Sequence, residues 1–426
     1  MECNTVLPNL TPDVPLAERL FDELRARSFD GVGITREAYG AGERMAHALV
    51  KGTAEALGLE TAVDPIGNLY MTLPGQDRAA KRVMLGSHLD SVPNGGNFDG
   101  AAGVLAGLAA VAGMKQAGWQ PRCDVTVMAI RAEEAGAWFP TSFPGSRGAL
   151  GALKPEELEI KRLDSGRSLA DHMREEGFDP DFARRGQKHL GPDNVAAYLE
   201  VHIEQGPVLD AEEVPVGIVS GIPGSRRLRQ ARVLGEYNHS GGTPRKYRRD
   251  AAIALADLAV ALDEAWCQLD ARGQQLVVTF CTMATTPEAG FTKIPGEATF
   301  QLDVRSVNLH NVDAIFEVLA AKVPEIEARR GVTFDLGLQT GSPASLMHAD
   351  VQDGLKRAAM ALDIPFRSMA SGGGHDAVAF AQAGVPSGML FVRNQNGSHN
   401  PKEAMRMEDF AKACAVAQRW AAELSA

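Results

Sequence analysis

Apolar residues recur along the chain in two spacings, as short apolar runs and as longer stretches in which apolar residues fall three or four positions apart. The first spacing is typical of buried strands and the second of helices. The early part of the chain predicts helices over 16–26, 41–57 and 101–114 and strands over 69–73, 83–85 and 124–130. The last two strands flank an Ala-, Gly- and Leu-rich helix. This order predicts a β-α-β unit and a mostly parallel sheet with helices on its faces.

The pattern changes near residue 214, where a Gly- and Pro-rich stretch precedes a different order of elements. From there the chain predicts strands over 228–235, 275–283, 298–304 and 333–338 and helices over 250–269 and 312–329. This is the split βαβ order of a small α+β, ferredoxin-like domain. Outside it the chain predicts strands over 195–202 and 391–392 and helices over 351–362 and 408–424. We therefore predict an α/β catalytic domain formed by 1–213 and 342–426, with 214–341 inserted as a lid and dimerisation domain.

The bulk composition sets outer limits on the function. A length of 426 residues suits two domains better than one core. A net charge of −11 argues against nucleic acid or an anionic membrane as partner, because both require basic surface. The five cysteines are far apart, so neither a disulfide framework nor a cysteine-based zinc site is expected. The first residues lack a signal-peptide pattern and no apolar run reaches membrane-spanning length, so we expect a cytoplasmic protein.

The first candidate functional residues follow the predicted strand 83–85, in the sequence GSHLD and then NFDG. A histidine and two carboxylates on a loop that leaves a strand suit a divalent metal ion. We predict Asp99 as a ligand and Asp90 as a brace of His88, because a metal-bound histidine usually donates its other ring N–H to a carboxylate. The alternative is that His88 is an ordinary loop histidine and that Asp99 caps the next helix.

Three further polar segments also follow predicted strands. Glu133 and Glu134 repel each other, and a metal cation can compensate one of them while the other serves as a general base. His202 ends a strand before a polar loop, and His399 lies in the sequence SHNPKE after another strand. Each has a structural alternative: exposed glutamates at a helix start, a structural strand-end histidine, and a simple Asn-Pro turn.

Together these segments supply nitrogen and oxygen ligands from five strand ends of one domain. The set consists of His88, Asp99, Glu134, His202 and His399. Five such ligands with one bridging carboxylate can hold two metal ions, as in two-metal hydrolases, and Glu133 remains as the base. A glycine-rich segment over 371–376 either brings backbone N–H groups to an anion or forms a flexible turn.

The motifs that carry these residues occur in one order over nearly the whole chain. They are GSHLDSVPNGGNFDGAAGVLAG, EEAGAWFPTSFPGSRGALG, LEVHIEQGPVLD, NHSGGTP, LDVRS, SGGGHDA and GSHNPKEA. The set resembles the co-catalytic zinc peptidase/amidohydrolase superfamily. Within it, the chain resembles the family of N-carbamoyl-L-amino acid hydrolases, β-ureidopropionases and allantoate amidohydrolases, and the segment HIEQGPVL separates this branch from ordinary aminoacylases.

The resemblance implies roles for the candidate metal-site residues. His88, Asp99, Glu134, His202 and His399 match the family's metal ligands. Asp99 matches the bridging ligand, Glu133 the general base, and Asp90 the brace of the first histidine. The implied cofactor is a pair of divalent metal ions per subunit, Zn²⁺ foremost, although Mn²⁺, Co²⁺ and Ni²⁺ accept the same ligands.

The resemblance also implies substrate contacts. His239 matches a histidine of the small domain that polarises the scissile carbonyl in the active site of the other subunit, which implies a homodimer built through the inserted domain. Arg305 matches the arginine that grips the substrate carboxylate, a role that suits its guanidinium geometry. Gln205 matches a contact to the amide or ureido end, and Gly373 and Gly374 match glycines near the carboxylate.

Three segments depart from the family pattern at the substrate end. Thr292 stands where relatives typically carry an asparagine that assists the oxyanion. Ala137 and Trp138 replace a common Ser-Arg pair, and Arg245 and Lys246 stand where an apolar Met is common. These departures suggest a substrate with a bulkier or aromatic acyl part, on which Trp138 could stack.

The sequence therefore predicts a metal-dependent amidohydrolase that cleaves a non-peptide C–N bond in a small carboxylate-bearing substrate. N-carbamoyl amino acids, ureido acids and allantoate-like compounds are the candidate substrates. The alternatives are an N-acyl amino acid deacylase or dipeptidase on the same scaffold, and a catalytically inactive relative that serves as a dimeric binding protein.

Overall fold

The computed structural model describes residues 10–426. Cys3 and the first residues, on which the expectation of no signal peptide rests, lie outside this range. The chain separates into two compact units. One runs up to Ser220 and resumes at Met347–Ala426, and the other is Gly221–Leu346. These units divide a few residues after the predicted boundaries at 214 and 341. Val216–Val219 is a strand of the first unit's sheet, and Ser345–Leu346 pairs with Gly221–Ile222 of the second unit.

The first unit is built on an eight-stranded sheet. The strand order is Glu60–Val63, Leu69–Leu73, Val125–Ile130, Arg82–His88, Val195–Ile203, Ser387–Val392, Val216–Val219 and Phe366–Met369. The four strands from Val125–Ile130 to Ser387–Val392 pair in parallel, and their continuous apolar runs are buried on both faces. Their carboxyl ends therefore lie along one edge, which is where ligands bind in such sheets.

Helices cover the sheet of the first unit. The main ones are Val14–Ser28, Ala41–Ala56, Ala101–Gln116, Ala349–Ala361 and Met407–Leu424. Shorter ones are Ala135–Trp138, Pro144–Ala149, Pro155–Glu159, Leu169–Glu175, Pro180–Arg184, Val208–Ala211 and Ala377–Gln382, and the small strands Asn394–Gln395 and Ala404–Met405 pair with each other. The helix Ala101–Gln116 lies in close contact with the strand Val195–Ile203. A Cβ at Gly103 would lie only 2.0 Å from the Val201 carbonyl oxygen. These bounds agree with the predicted helices to within a few residues.

Three strands of this sheet were not predicted. Glu60–Val63 and Phe366–Met369 are its two edge strands, and neither has the continuous apolar run of the buried strands. Val216–Val219 is buried, but its glycine and neighbouring proline favoured a loop prediction. The predicted strand 83–85 also extends over Arg82–His88, so His88 is the last residue of the strand and not a loop residue beyond it.

The second unit has the predicted ferredoxin-like arrangement. Its antiparallel sheet has the order Val277–Thr285, Glu297–Ser306, Gly224–Leu234 and Thr333–Asp335, with Gln339–Ser342 also paired to Gly224–Leu234. Two helices, Ala251–Asp270 and Leu309–Arg330, pack on one face through a core that includes Leu228, Phe300 and Ile315. The short elements are Gly221–Ile222, Asn238–His239, Arg245–Tyr247, Lys293–Ile294 and Ser345–Leu346. The fold-class prediction is confirmed.

Within residues 10–426, no helix is both long enough and apolar enough to cross a membrane.

Candidate active site

The candidate ligands of the first unit meet at the carboxyl ends of its parallel strands. His88 closes the strand Arg82–His88, and His202 lies one residue before the end of Val195–Ile203. Both imidazoles are buried, with exposures of 0% and 1%. Asp99 is contributed by the loop that leads into the helix Ala101–Gln116 and is also buried.

The first group of potential ligands comprises His88, Asp99 and His202, whose ligand atoms all lie within 4.8 Å of one another. His202 Nε2 is 3.1 Å and His88 Nε2 is 3.6 Å from Asp99 Oδ1. The two histidine Nε2 atoms are 3.4 Å apart. Two imidazole nitrogens and a carboxylate oxygen at this spacing can share one divalent cation.

The second group comprises Asp99, Glu134 and His399, again with ligand atoms within 4.8 Å of one another. His399 Nε2 lies 2.9 Å from Glu134 Oε1 and 3.4 Å from Asp99 Oδ2. Asp99 therefore belongs to both groups and presents a different oxygen to each. All five predicted ligands are brought together by the fold, with Asp99 between the two groups.

The nitrogen and oxygen atoms of these side chains do not satisfy one another fully by hydrogen bonds, whereas a bound cation would satisfy them. Within residues 10–426, Asp99 Oδ1 accepts no well-directed hydrogen bond, although it is buried and the two histidines are near. A buried carboxylate oxygen without such a partner is costly, and coordination to a metal removes that cost. The residues present therefore fit a divalent metal centre.

The electrostatics of the site indicate an excess of negative charge. Hydrogen bonds to Asp99 and Glu134 raise the pKa of His399 to about 10. Burial raises the pKa of Asp99, but His202, His399 and His88 outweigh it, and the net pKa lies well below the usual value. Burial and the neighbouring Glu134 raise the pKa of Glu133 well above its usual value, against the opposing effect of His88. The carboxylates that favour protonated histidines would equally favour a bound divalent cation.

Asp90 connects His88 to the glutamate pair. Its carboxylate accepts hydrogen bonds from the backbone N–H groups of Glu133 at 3.1 Å and Glu134 at 3.0 Å. His88 Nδ1 lies 3.3 Å from Asp90 Oδ1 and 3.1 Å from the Asp90 carbonyl oxygen. Glu133 Oε2 lies 3.6 Å from His88 Nε2. One aspartate thus fixes both the first histidine and the backbone that presents the two glutamates.

A buried ion pair that the sequence did not reveal supports the turn before Glu133. Ala132 has a left-handed backbone with φ +59°, which is unusual for a residue other than glycine. Its N–H donates to Glu43 Oε1 at 2.7 Å, and Arg131 Nη1 donates to Glu43 Oε2 at 3.1 Å. Glu43 lies in a helix among other charged residues, so no local signal marked it.

Gly100 has a spatial role that the sequence did not specify. Its φ is +64°, and a Cβ there would lie 2.3 Å from His88 Cε1. Any side chain at this position would collide with the imidazole and strain the backbone. The glycine after Asp99 therefore keeps the ring position open.

Gln205 lies beside both groups of potential ligands, and the glycine-rich segment 371–376 lies next to Gln205. Gln205 Nε2 donates to Asp99 Oδ2 at 2.8 Å and lies 3.3 Å from His399 Nε2. A Cβ at Gly373 would lie 3.4 Å from Gln205 Oε1, and one at Gly374 would lie 3.1 Å from the Phe143 ring. A methyl group at Gly373 would thus make an ordinary van der Waals contact with the Gln205 amide, and one at Gly374 would crowd the Phe143 ring.

The structure contradicts the prediction that Trp138 stacks on the substrate. Trp138 is 8% exposed and packs in a core with Phe139 and Leu153. Its Nε1 donates to the Ser91 carbonyl oxygen at 2.9 Å, and the Arg162 guanidinium lies 4.9 Å above the ring. The indole is already packed and hydrogen-bonded, which leaves little exposed surface for stacking on a substrate.

In the second unit, His239 and Thr292 lie on one exposed ribbon. Asn238–His239 pairs with Lys293–Ile294, and the Ser240 N–H donates to the Thr292 carbonyl oxygen at 2.9 Å. His239 Nδ1 accepts hydrogen bonds from the N–H groups of Gly241 at 3.1 Å and Gly242 at 2.9 Å. In the neutral ring Nε2 therefore carries the proton and remains a donor.

Arg305 is oriented by a neighbouring aspartate on the sheet of the same unit. Asp303 Oδ2 accepts from Arg305 Nε at 2.9 Å and from Nη2 at 2.7 Å, while Arg227 Nε lies 3.2 Å from Asp303 Oδ1. Arg245 is exposed in the short helix Arg245–Tyr247, and the structure gives no reason for its departure from the family pattern.

The chain forms two compact units, and the first of them carries a candidate divalent metal site. The chain belongs to Peptidase family M20/M25/M40, whose sequence model matches residues 84–423. It is 37% identical over 381 residues to the N-carbamoyl-L-amino acid amidohydrolase of Geobacillus stearothermophilus, covering 89% of this chain and 90% of the relative. It is 33% identical over 381 residues to the allantoate amidohydrolase of Escherichia coli strain K12, with the same coverages of 89% and 90%.

A solved structure of a related amidase also has this fold. A hydantoinase/carbamoylase family amidase from Burkholderia ambifaria superimposes with a TM-score of 0.87 at 30% identity, covering 98% of both chains. The predictions of the family and of a hydrolase acting on C–N bonds other than peptide bonds are confirmed. The family is divalent-metal-dependent, in agreement with the ligand groups around Asp99.

Proposed function

We propose that this amidohydrolase cleaves the ureido or amide C–N bond of a small substrate with a free carboxylate, such as an N-carbamoyl amino acid. One observation carries the proposal: Glu133 lies beside two potential metal-ligand groups that share Asp99. The similarity to an N-carbamoyl-L-amino acid amidohydrolase and to an allantoate amidohydrolase supports the ureido class.

We assign the metal-holding role to His88, Asp99, Glu134, His202 and His399. Two divalent ions, Zn²⁺ foremost, would supply Lewis-acid activation of water and of the scissile carbonyl. Glu133 takes the proton from the attacking water, and the water oxygen adds to the carbonyl carbon. Glu133 then passes the proton to the leaving nitrogen as the C–N bond breaks. For a ureido acid, the carbamic acid so formed yields ammonia and carbon dioxide.

The proposed substrate contacts are those that the resemblance to the family implies. Gln205 contacts the ureido end, with Gly373 and Gly374 near the substrate. The Nε2–H of His239 donates to the carbonyl oxygen in the other subunit of a homodimer, and Thr292 lies on the same ribbon. The homodimer and the cytoplasmic location stay predictions, drawn respectively from the resemblance and from the sequence.

A substrate panel tests the proposed reaction. The purified protein, with its metal content measured, is assayed for ammonia and amine release from N-carbamoyl, N-formyl and N-acyl amino acids, allantoate and dipeptides. We expect ammonia release from ureido acids, loss of it after chelation, and its return with Zn²⁺ or Mn²⁺. Cleavage of dipeptides or acyl amino acids alone would establish the deacylase or dipeptidase alternative. A metal-loaded protein inactive on every compound would favour the binding protein.

Replacing Arg305 by alanine is expected to raise KM by about 10- to 100-fold with a smaller change in kcat, because a charge-assisted bidentate contact to the carboxylate is lost. Steady-state kinetics on the best substrate of the panel measure this. Arg232→Ala is the matched control, since Arg232 pairs with Asp335 on the same sheet and has no assigned substrate role. An unchanged KM in Arg305→Ala would remove the carboxylate clamp from the proposal.

A further inference from the structure

Glu403 is a buried carboxylate with no role in the proposed reaction, and within residues 10–426 its carboxylate accepts hydrogen bonds from the two loops that carry Asp99 and His399. It is 8% exposed and follows His399 by four positions. Its Oε1 accepts from the backbone N–H groups of Phe98 at 2.8 Å and Asp99 at 3.2 Å. Its Oε2 accepts from Ser398 Oγ at 2.6 Å.

The same serine also contacts the carboxylate shared by the two ligand groups. Ser398 Oγ lies within hydrogen-bond distance of Asp99 Oδ2. Glu403 therefore contacts Asp99 directly through the Asp99 backbone N–H, and the Ser398 hydroxyl, which has one proton to donate, lies between the two carboxylates. Because Asp99 and Glu403 are 304 positions apart in the chain, this contact joins two ligand loops that are remote in sequence.

A glycine opposite Glu403 provides an independent observation. A Cβ at Gly96 would lie 2.0 Å from Glu403 Cδ and 2.1 Å from Oε1. The φ angle of Gly96 is not positive, so the backbone conformation at this position does not itself require glycine. The missing side chain instead leaves room for the Glu403 carboxylate against the loop that carries Asp99.

We propose that Glu403 is a positioning residue of the metal centre, which fixes the Asp99 loop relative to the His399 loop. Its oxygens point at backbone N–H groups and a serine, so it acts through Asp99 and not on the substrate. The assignment rests on the proposed function only in requiring that these loops bind divalent metal. Partners that orient metal ligands in this way typically change metal affinity by about 10- to 100-fold.

Three variants test this role by titration with Zn²⁺ against a chromophoric chelator. Glu403→Ala is expected to weaken Zn²⁺ binding by about 10- to 100-fold, because the backbone N–H groups of Phe98 and Asp99 lose the carboxylate that holds their loop. Gly96→Ala should weaken it similarly, with Glu403 itself intact, since the new methyl group displaces the carboxylate. Glu403→Gln should remain near wild type, because its amide oxygen still accepts from the two N–H groups and its amide N–H can donate to Ser398.

The visible absorption spectrum of the Co²⁺-loaded protein gives a second readout that does not depend on activity. We expect altered Co²⁺ bands in Glu403→Ala and Gly96→Ala but not in Glu403→Gln. The matched controls are Glu408→Ala, an exposed glutamate nearby, and Gly52→Ala, where a Cβ meets no atom within 4 Å. If Glu403→Ala fails to fold, Gly96→Ala and Ser398→Ala carry the comparison.

Wild-type Zn²⁺ affinity and Co²⁺ spectra in Glu403→Ala and Gly96→Ala would overturn the positioning role. Loss of affinity in Glu403→Gln as large as in Glu403→Ala would overturn it as well, because the effect would then depend on charge. A wild-type protein that binds no metal would refute it together with the metal centre. Normal metal binding without ureido-acid hydrolysis would refute the substrate assignment alone.

Discussion

Replacing Glu133 by glutamine is expected to lower kcat by about 10²- to 10⁴-fold while leaving the metal content at the wild-type level. Glutamine has nearly the same shape as glutamate but cannot take a proton from water. Glu133 lies outside both ligand groups, and its backbone N–H bond to Asp90 does not depend on the side chain. Ammonia-release kinetics and metal analysis of the same preparation measure the two quantities separately.

The adjacent glutamate provides the matched control for this prediction. Glu134→Gln should lose metal as well as activity, because Glu134 Oε1 lies 2.9 Å from His399 Nε2 within the second ligand group. Comparing the two variants thus distinguishes the proposed general base, Glu133, from the proposed metal ligand, Glu134. A Glu133→Gln enzyme that turns over within tenfold of wild type would exclude Glu133 as the base.

The second large effect is expected at Asp99. Asp99→Ala should weaken binding of both metal ions by at least about 100-fold and remove measurable turnover, because its two oxygens face different ligand groups. Isothermal titration with Zn²⁺ gives the stoichiometry and the affinities. Thermal unfolding gives a second measure, since added Zn²⁺ should raise the Tm of the wild type and not that of the variant.

The control for Asp99 is another buried aspartate of the first unit. Asp409 is 2% exposed and accepts a hydrogen bond from Arg393 Nε at 2.8 Å. Asp409→Asn should lower the Tm but leave the metal stoichiometry unchanged. An Asp99→Ala protein that still binds two metal ions tightly would exclude Asp99 as the bridge.

The sequence was informative where a residue's position relative to a strand determines its location. His88, Glu133 and His202 each lie at or just after the end of a buried apolar run. Parallel strands end along one edge of a sheet, so such residues meet whatever the details of packing. Edge strands such as Phe366–Met369 lack that apolar run, and they escaped prediction for the same reason.

The supporting contacts could not be predicted because they join segments remote in the chain. Glu43 stabilises the turn at Ala132, and Glu403 contacts the loop of Asp99, yet neither residue differs locally from a surface glutamate. Arg36 is fully buried and donates from Nε to the Leu89 carbonyl oxygen at 2.6 Å, again without a local signal. Trp138 shows the converse error, because a departure from a family pattern does not reveal whether a side chain faces substrate or core.

The strand order has a consequence for the biosynthesis of the enzyme. The strand Ser387–Val392 lies between Val195–Ile203 and Val216–Val219, and His399 follows it, so the central sheet and the proposed ligand set both require a segment that is synthesised after the inserted unit. The inserted unit Gly221–Leu346 is continuous in sequence and has its own core, so it can fold on the ribosome first. The complete set of proposed metal ligands can therefore form only after synthesis has passed residue 399.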